Sequence, residues 1–463
     1  MNAPARGSAA PSSLPRVVAA SLIGTTIEWY DYFLYGTAAA LVFGKLFFPH
    51  SDPLTGTLLS FLTYAIGFAA RPVGALVFGH FGDRVGRKKL LVVSLLLMGG
   101  STTAIGLLPT YDSVGVAAPV LLTALRLVQG FALGGEWGGA VLLVSEHGDQ
   151  RRRGFWASWP QGGAPAGNLL AAGVLSLMTA VQSESAFLAW GWRVPFLLSA
   201  VLVGVGMWIR LAVEESPLFQ QAAARRKSRP EAEQAPLVGV LRHHWREVLV
   251  AMGARMAENI SYYVMTTFVL TYAVTHAHFD KQSALNAVLI ASAVQFALIP
   301  LFGALSDRVG RKPVYLVGAA GVGVWAFVFF GMVDTHSFGQ LVVAVTVGLV
   351  FHSAMYAPQA AFFSELFATR LRYSGASIGA QFASVAAGAP APLIATALLK
   401  DYGSATPISV YVAIAAAITV LAVLCGRETR GQDLAEVDER SPEGRAVDGG
   451  AVDGGAVGKP AVT

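Results

Sequence analysis

Apolar residues in this chain gather into about twelve stretches, most near or above the roughly 20 residues a helix needs to cross a hydrocarbon core. They cover approximately 17–44, 54–80, 89–109, 117–145, 155–180, 190–212, 247–275, 283–305, 314–333, 339–367, 374–399 and 405–426. Short polar turns divide them, so the pattern predicts an all-α integral membrane protein of twelve transmembrane helices. One polar interval is longer: 213–246 carries Arg225, Arg226, Lys227, Arg229, Glu231 and Glu233, and separates six spans from six. The predicted organisation is a short segment 1–16, a six-helix half 17–212, a linker 213–246, a second half 247–426 and a tail 427–463. In the tail, Ala446-Val-Asp-Gly-Gly is followed at once by Ala451-Val-Asp-Gly-Gly, and so few large apolar groups predict disorder after about residue 432. The first span carries Glu28 and Asp31, which a cleavable signal peptide would not, so it is read as retained.

The two halves repeat each other. Gly79-His-Phe-Gly-Asp-Arg-Val-Gly-Arg-Lys88 returns as Gly303-Ala-Leu-Ser-Asp-Arg-Val-Gly-Arg-Lys312, each copy wedged between apolar stretches as a tight charged hairpin. Ser145, Glu146, Arg151 and Arg153 are matched in the same spacing by Ser364, Glu365, Arg370 and Arg372. Two such pairs, in one order and about 220 residues apart, are how many secondary transporters are assembled. Asp83 and Asp307 sit at predicted helix ends among cations, where a charge pairs cheaply across to a neighbouring helix end. Gly79, Asp83, Arg84, Gly86 and Arg87, with Asp307, Arg308, Gly310 and Arg311, are therefore candidates for a gate held by ion pairs in one conformation and released in the other. Glu146, Arg153, Glu365 and Arg372 join them.

Composition agrees with a bilayer as the solvent. Charged residues are 13%, against roughly 25% in an average soluble domain, and the mean hydropathy is +0.56. Of the 33 Lys and Arg, about 26 fall on the side of the two termini, about four on the other and three inside spans. Basic loops stay in the cytoplasm, so both termini are expected there, in a cell membrane. The same loops account for the pI near 9.3 without nucleic acid. The single Cys425 excludes a disulfide within a monomer, and neither His276 with His278 nor His243 with His244 has companions at metal-ligand spacing, so no metal or cofactor is expected. There is no phosphate-binding loop or nucleophile–base pair, which leaves a gradient as the energy source and protons as the natural ion.

Charges inside the spans carry the chemistry, because each is costly at bilayer depth unless paired or wetted. Glu28 and Asp31 share a helix face, as do Arg126, Gln129, Leu133 and Glu136, and again Arg255, Glu258 and Tyr262. An arginine forks onto a carboxylate, so Arg126 or Arg255 suits an anionic substrate head. A carboxylate whose surroundings alternate between apolar and cationic carries a proton; Glu28, Asp31, Glu136 and Glu258 are the candidates. Arg71 is read as a structural or coupling charge, with mutual neutralisation among Glu28, Arg71, Arg126 and Glu136 as the bland alternative. Gly134, Gly135, Gly138 and Gly139 predict close helix packing, and Pro160 and Pro165 a loosened fifth span.

The paired Gly-x-x-x-Asp-Arg-x-Gly-Arg-Lys loops are similar to the signature of the major facilitator superfamily. Glu28-Trp-Tyr-Asp31, Arg71-Pro-Val-Gly74, Arg126 with Gln129, Gly134-Gly-Glu-Trp-Gly-Gly139, Gly191-Trp-Arg-Val-Pro-Phe196, Glu214-Glu-Ser-Pro217 and the strings from Pro358 to Ser377 resemble its metabolite:proton symporter branch. The resemblance covers nearly the whole folded chain and implies two rocking six-helix halves around a midplane site. In that family the first, fourth, seventh and tenth spans line the cavity, which adds Tyr32, His352, Tyr356 and Gln359, and Gln381 from the eleventh, to Arg126, Gln129, Arg255 and Tyr262 as candidate substrate contacts. The expected function is proton-coupled uptake of a small shikimate- or oxoglutarate-like carboxylate, by a monomer whose partners are substrate, protons and lipid. The alternatives are a proline or glycine betaine symporter, or an efflux antiporter or facilitator. The Gly-Pro-x-x-Gly-Gly string of antiporters is replaced here by Ala164-Pro165-Ala166-Gly167-Asn168, and the paired Gln of sugar porters by Glu258-Asn259.

Overall fold

The computed structural model describes residues 14–75, 77–78, 87–134, 150–212, 245–366, 382–388 and 390–431. Among these the chain is helical, without strands. Helix α1 is Leu14–Ala38, carried on by a π turn Ala39–Phe43 and a last turn Gly44–Phe47. Then come α2 (Pro53–Ala69), α3 (Arg87–Gly106) and α4 (Ala117–Leu133). Helix α5 is Arg153–Gln161 with Gly163–Val181, and α6 is Glu184–Ala186, the π turn Phe187–Gly191 and Arg193–Ala212. The second half begins with α7 (Trp245–Tyr263, π turn Val264–Phe268, then Val269–Thr275). It continues with α8 (Lys281–Val309), α9 (Arg311–Val333) and α10 (Phe338–Leu366). Last are α11 (π turn Ser384–Gly388, then Pro390–Tyr402) and α12 (Thr406–Cys425).

Each of the twelve apolar stretches thus holds a helix, the all-α twelve-helix architecture expected. Six helices among the described residues are long and apolar enough to cross a membrane on those grounds alone, and α6 joins them if its pieces, bent by 42°, count as one span. In α1 and α7 the charges Glu28, Asp31, Arg255 and Glu258 dilute the apolar pattern. The two helices also share a device: their π turns, Ala39–Phe43 and Val264–Phe268, recur at the separation of the duplicated loops. A π turn re-aims side chains and is common at functional sites.

Local chemistry starts the helices where the pattern places them. Asp52 and Asp280 cap α2 and α8 by accepting from Thr55 N (3.0 Å) and Ser283 N (2.9 Å). Gly310, at φ 109°, joins α8 directly to α9 through a backbone conformation open to glycine. The loosening expected of α5 is confined to Gly162, whose dihedrals stay helical while its N–H is shared between Ser158 O and Trp159 O at 3.0 Å each. Linker residues 213–244 and the tail from 432 onward, with its expected disorder, lie outside the described residues.

The halves meet along α5 and α8 through a polar ladder: Asn168 donates to Ser292 (3.1 Å), Ser176 to Asn286 (2.7 Å) and Thr179 to Gln282 (2.5 Å). At the face opposite the termini, exposed ion pairs tie them again. Lys400 of α11 reaches Asp52 at 3.6 Å and donates to Thr55, while Glu184 takes Lys45 (3.2 Å) and Lys281 (2.9 Å). Those two lysines, Lys281 first, hold the Glu184 carboxyl below its usual range.

Candidate functional site

Three layers are stacked between the halves: a cationic cluster in the first, a tyrosine and phenylalanine floor, and an acid-centred cluster in the second. In the first, Arg126 of α4 and Arg71 just beyond α2 are 2% and 5% exposed. Arg126 donates to Gln129 Oε1 (2.5 Å), and Gln129 Nε2 to Thr102 (2.5 Å). Asp31 is buried beside them and accepts from Ser199. Asp31, Tyr32, Arg71, Arg126 and Gln129 line a cavity of about 10 Å³, room for about one water. Among the described residues neither guanidinium has a carboxylate within ion-pair distance; Arg126 binds Gln129, and Glu28 is half-buried. Of the four residues weighed for mutual neutralisation, Glu136 lies outside the described residues.

What the two cations have instead are ring faces. Arg126 lies over Tyr35 (4.4 Å), Tyr64 (4.5 Å) and Tyr32 (5.0 Å), and Arg71 over Phe68 (3.9 Å) and Tyr32 (4.7 Å). Such contacts are worth about 2 kcal/mol when desolvated. Two close backbones make room: a Cβ on Gly130 would meet Gly67 O at 1.7 Å, and one on Gly67 would meet Arg126 Cγ at 2.7 Å. Helix α4 thus touches α2, and Arg126 crosses it to the rings. Gly134 packs likewise against Arg71 O, as the glycine pattern implied.

The same rings contact the other half: Phe33 stands 5.3 Å from Tyr262, and Tyr32 6.0 Å from Tyr263. Below them Glu258 is the hub. It meets Arg255 Nε (3.5 Å), Asn259 Nδ2 (3.1 Å), Gln359 Nε2 (3.2 Å) and His352 Nε2 (3.4 Å). Gln359 also donates to the Tyr315 hydroxyl (3.1 Å), and Tyr262 and Tyr356 flank the imidazole at 4.7 and 5.2 Å.

The face of the termini is closed by buried charge. Arg153 of α5 meets Glu365 of α10 at 3.1 Å, so the cation of one repeat pairs with the acid of the other. Arg311 holds Glu365 (3.1 Å) and Asp307 (2.7 Å), and Asp307 accepts Gly154 N (2.8 Å) and Phe155 N (2.9 Å) at the first turn of α5. Arg308 points to the surface. Glu428 accepts Arg311 N (2.9 Å) and Lys312 N (3.0 Å) at the start of α9. Burial alone would raise its carboxyl, but backbone donors from Arg311, Arg430, Lys312 and Thr429 hold it below the usual range.

Of the candidates, Asp31, Tyr32, Arg71, Arg126 and Gln129 come together in one cluster, and Arg255, Glu258, Tyr262, Tyr356 and Gln359 in the other. Asp307, Gly310, Arg311, Arg153 and Glu365 assemble at the closed face. Glu136, Gln381, Gly79, Asp83, Arg84, Gly86, Glu146 and Arg372, and the side chain of Arg87, lie outside the described residues. Sequence reasoning passed over Tyr64, Phe68, Tyr263, Gln295 and Tyr315. Tyr64 and Phe68 carried a signal, since with Gly67 they fall on one helix face pointing at Arg126.

A two-repeat helical bundle with buried charges between its halves has the architecture in which many secondary transporters are built. The chain belongs to the major facilitator superfamily: residues 17–234 and 220–440 match the family described as "Sugar (and other) transporter". The inner membrane metabolite transport protein YhjE of Escherichia coli is 40% identical over 428 residues, 91% of this chain and 96% of that protein. The shikimate transporter of E. coli is 37% identical over 434 residues (92% and 98%), and its proline/betaine transporter 32% over 429 (91% and 85%). Among solved structures, the proton:xylose symporter XylE superposes with a TM-score of 0.71 at 17% identity, covering 92% of this chain and 98% of its own, which is a likeness of fold. The chain is thus a multi-pass membrane transporter in a family whose relatives carry metabolites, shikimate, and proline or betaine.

Proposed function

We propose that the protein takes up a small carboxylate-bearing metabolite together with protons, by alternating access between its two halves. One observation carries this reading: Arg71 and Arg126 are buried side by side without a carboxylate at ion-pair distance among the described residues. Two guanidiniums left so are an anion site in waiting, since a fork onto carboxylate oxygens supplies what the rings only approximate. Asp31, on the wall of the same cavity, is the proton carrier. When ionised it competes with the substrate for the cations, and when protonated it leaves them to the anion. The proton therefore enters before the substrate and leaves after it. Both termini lie in the cytoplasm in this reading, supported by the basic residues on their side.

A proline or betaine substrate is the second reading, favoured by the relative at 32% identity and by the ring floor, whose faces suit a quaternary ammonium. The faces of Tyr32, Tyr35, Tyr64 and Phe68 are already covered by guanidiniums, which repel a second cation. Uptake of labelled shikimate, 2-oxoglutarate, citrate, proline and glycine betaine into proteoliposomes, with and without an inward proton gradient, tests the assignment. Accumulation of an acid above equilibrium, abolished by an uncoupler, is expected. Equilibration alone, or outward pumping, overturns symport, and accumulation of betaine alone overturns the substrate class.

A further inference from the structure

The cluster around Glu258 holds a histidine that the mechanism above does not use. His352 is 1% exposed and stands between two groups: Nε2 is 3.4 Å from Glu258 Oε1, and Nδ1 is 2.7 Å from Gln295 Nε2. In this arrangement the Gln295 amide donates to Nδ1, so the ring's single proton sits on Nε2 and faces the carboxylate. The other end of the same amide, Gln295 Oε1, is buried without a hydrogen-bond partner, on a residue that is 0% exposed. A buried acceptor left unmade is costly. Half a turn of the amide would bring this oxygen onto Nδ1 if Nδ1 carried a proton as well, exchanging a neutral hydrogen bond for a charge-assisted one while the amide N–H group takes the place the oxygen left.

We propose that His352 is a second proton-binding residue of this transporter, with Gln295 the amide that turns to accept from it. The step is a protonation: a hydronium O–H bond breaks as the Nδ1–H bond forms, leaving water, the Gln295 N–H gives up its contact with Nδ1, and release runs the same exchange in reverse. Histidine is the side chain whose ordinary titration falls between pH 5 and 8. The groups facing the imidazole decide whether the charge is tolerated. From α7 come Glu258, Arg255 and Tyr262; from α10 itself, Tyr356; from α9, Tyr315, through Gln359. Helix α8 contributes Gln295, and α5 the uncharged Gln161, bound to Tyr356 O. Glu258 is the one carboxylate in the set, and it touches the ring.

With the ring neutral, Arg255 and Glu258 balance. Protonation adds one positive charge to this cluster, across the ring floor from the two arginines of the first half. Proton and anion would then strengthen each other's binding by the same factor, a consequence that rests on the anionic substrate proposed above. The protonation itself does not.

The test is therefore made without substrate. The full chain, labelled with ¹⁵N-histidine and held in lipid nanodiscs, is titrated from pH 5 to 8, the His352 signals being assigned by their loss in His352→Gln, or in His352→Asn if that variant does not fold. Both ring nitrogens are expected to be protonated at the acid end, with Nδ1 losing its proton as pH rises. Gln295→Met, which removes the acceptor at similar length, is expected to reduce the doubly protonated fraction of the His352 ring at a given pH. A single neutral tautomer across the range overturns the proposal, as does a midpoint indifferent to Gln295→Met. A titrating His352 in a protein that accumulates no substrate would leave the proposal standing and sink the symport reading alone.

Discussion

Tyr32 presents one ring to two cations, Arg126 at 5.0 Å and Arg71 at 4.7 Å, and stands nearly perpendicular to the Phe68 ring at 5.0 Å. The ring holds both guanidiniums without neutralising either, so their charge remains for a substrate. Arg126→Lys keeps the charge but loses the plane that stacks and forks; the KM for the accumulated acid is expected to rise ~10-fold or more, since hydrogen bonds to charged groups are worth ~1.5–3 kcal/mol. Asp31→Asn imitates the protonated carboxyl. It is expected to abolish gradient-driven accumulation while substrate exchange across the proteoliposome continues, and retained accumulation would remove Asp31 from the proton path. At this scale the sequence singled out the charged residues inside the spans but not whom they meet. Glu28 and Asp31 share a face and a string, yet only Asp31 lines the cavity. Partners such as Ser199, 168 residues away along the chain, leave no trace in local spacing.

Elements were more legible than contacts, because a bilayer demands long apolar runs and glycine or charge at their ends. The same demand hid the details: the four π turns among the described residues and the near-continuity of α5 through Pro160 depend on neighbours that spacing does not reveal. The α2–α4 crossing is the element most exposed to a small change. Gly130→Ala drives a methyl into backbone at Gly67, so the helices must part, at ~1–3 kcal/mol or more for overpacking. A lower unfolding temperature and weaker uptake are expected. Gly24→Ala in α1, where a Cβ meets nothing within 4 Å, is expected to be neutral or slightly stabilising in the same assay. At the start of α9, the depressed Glu428 carboxyl adds stability that is present above its unfolded value, near 4.3, and is lost as pH falls through the lower folded value. Unfolding temperatures of the parent and Glu428→Gln should therefore differ by a constant amount from pH 5 to 8 and converge below about pH 4.

Across the whole molecule, the duplication visible in the chain marks out the two halves that the structure packs together. Each repeat carries its acid and its cations in one string, and the structure joins Arg153 of the first copy to Glu365 of the second. Glu365→Gln removes the carboxylate charge that Arg153 and Arg311 share. Removing one partner of such a buried set costs ~3–5 kcal/mol, and the closed face is expected to open, read as faster labelling of a cysteine introduced at Ser158 on α5. The ties at the opposite face are of another kind. Asp52 and Glu184 are 57% and 64% exposed, whereas Glu365 and Arg311 are almost wholly covered. Dissolved ions screen the former and scarcely reach the latter. The protein is therefore a latch with unequal clasps, and the brine it faces sets which mouth yields first: a strong electrolyte would tip the resting population toward opening at the far side, with no change of substrate, proton or sequence.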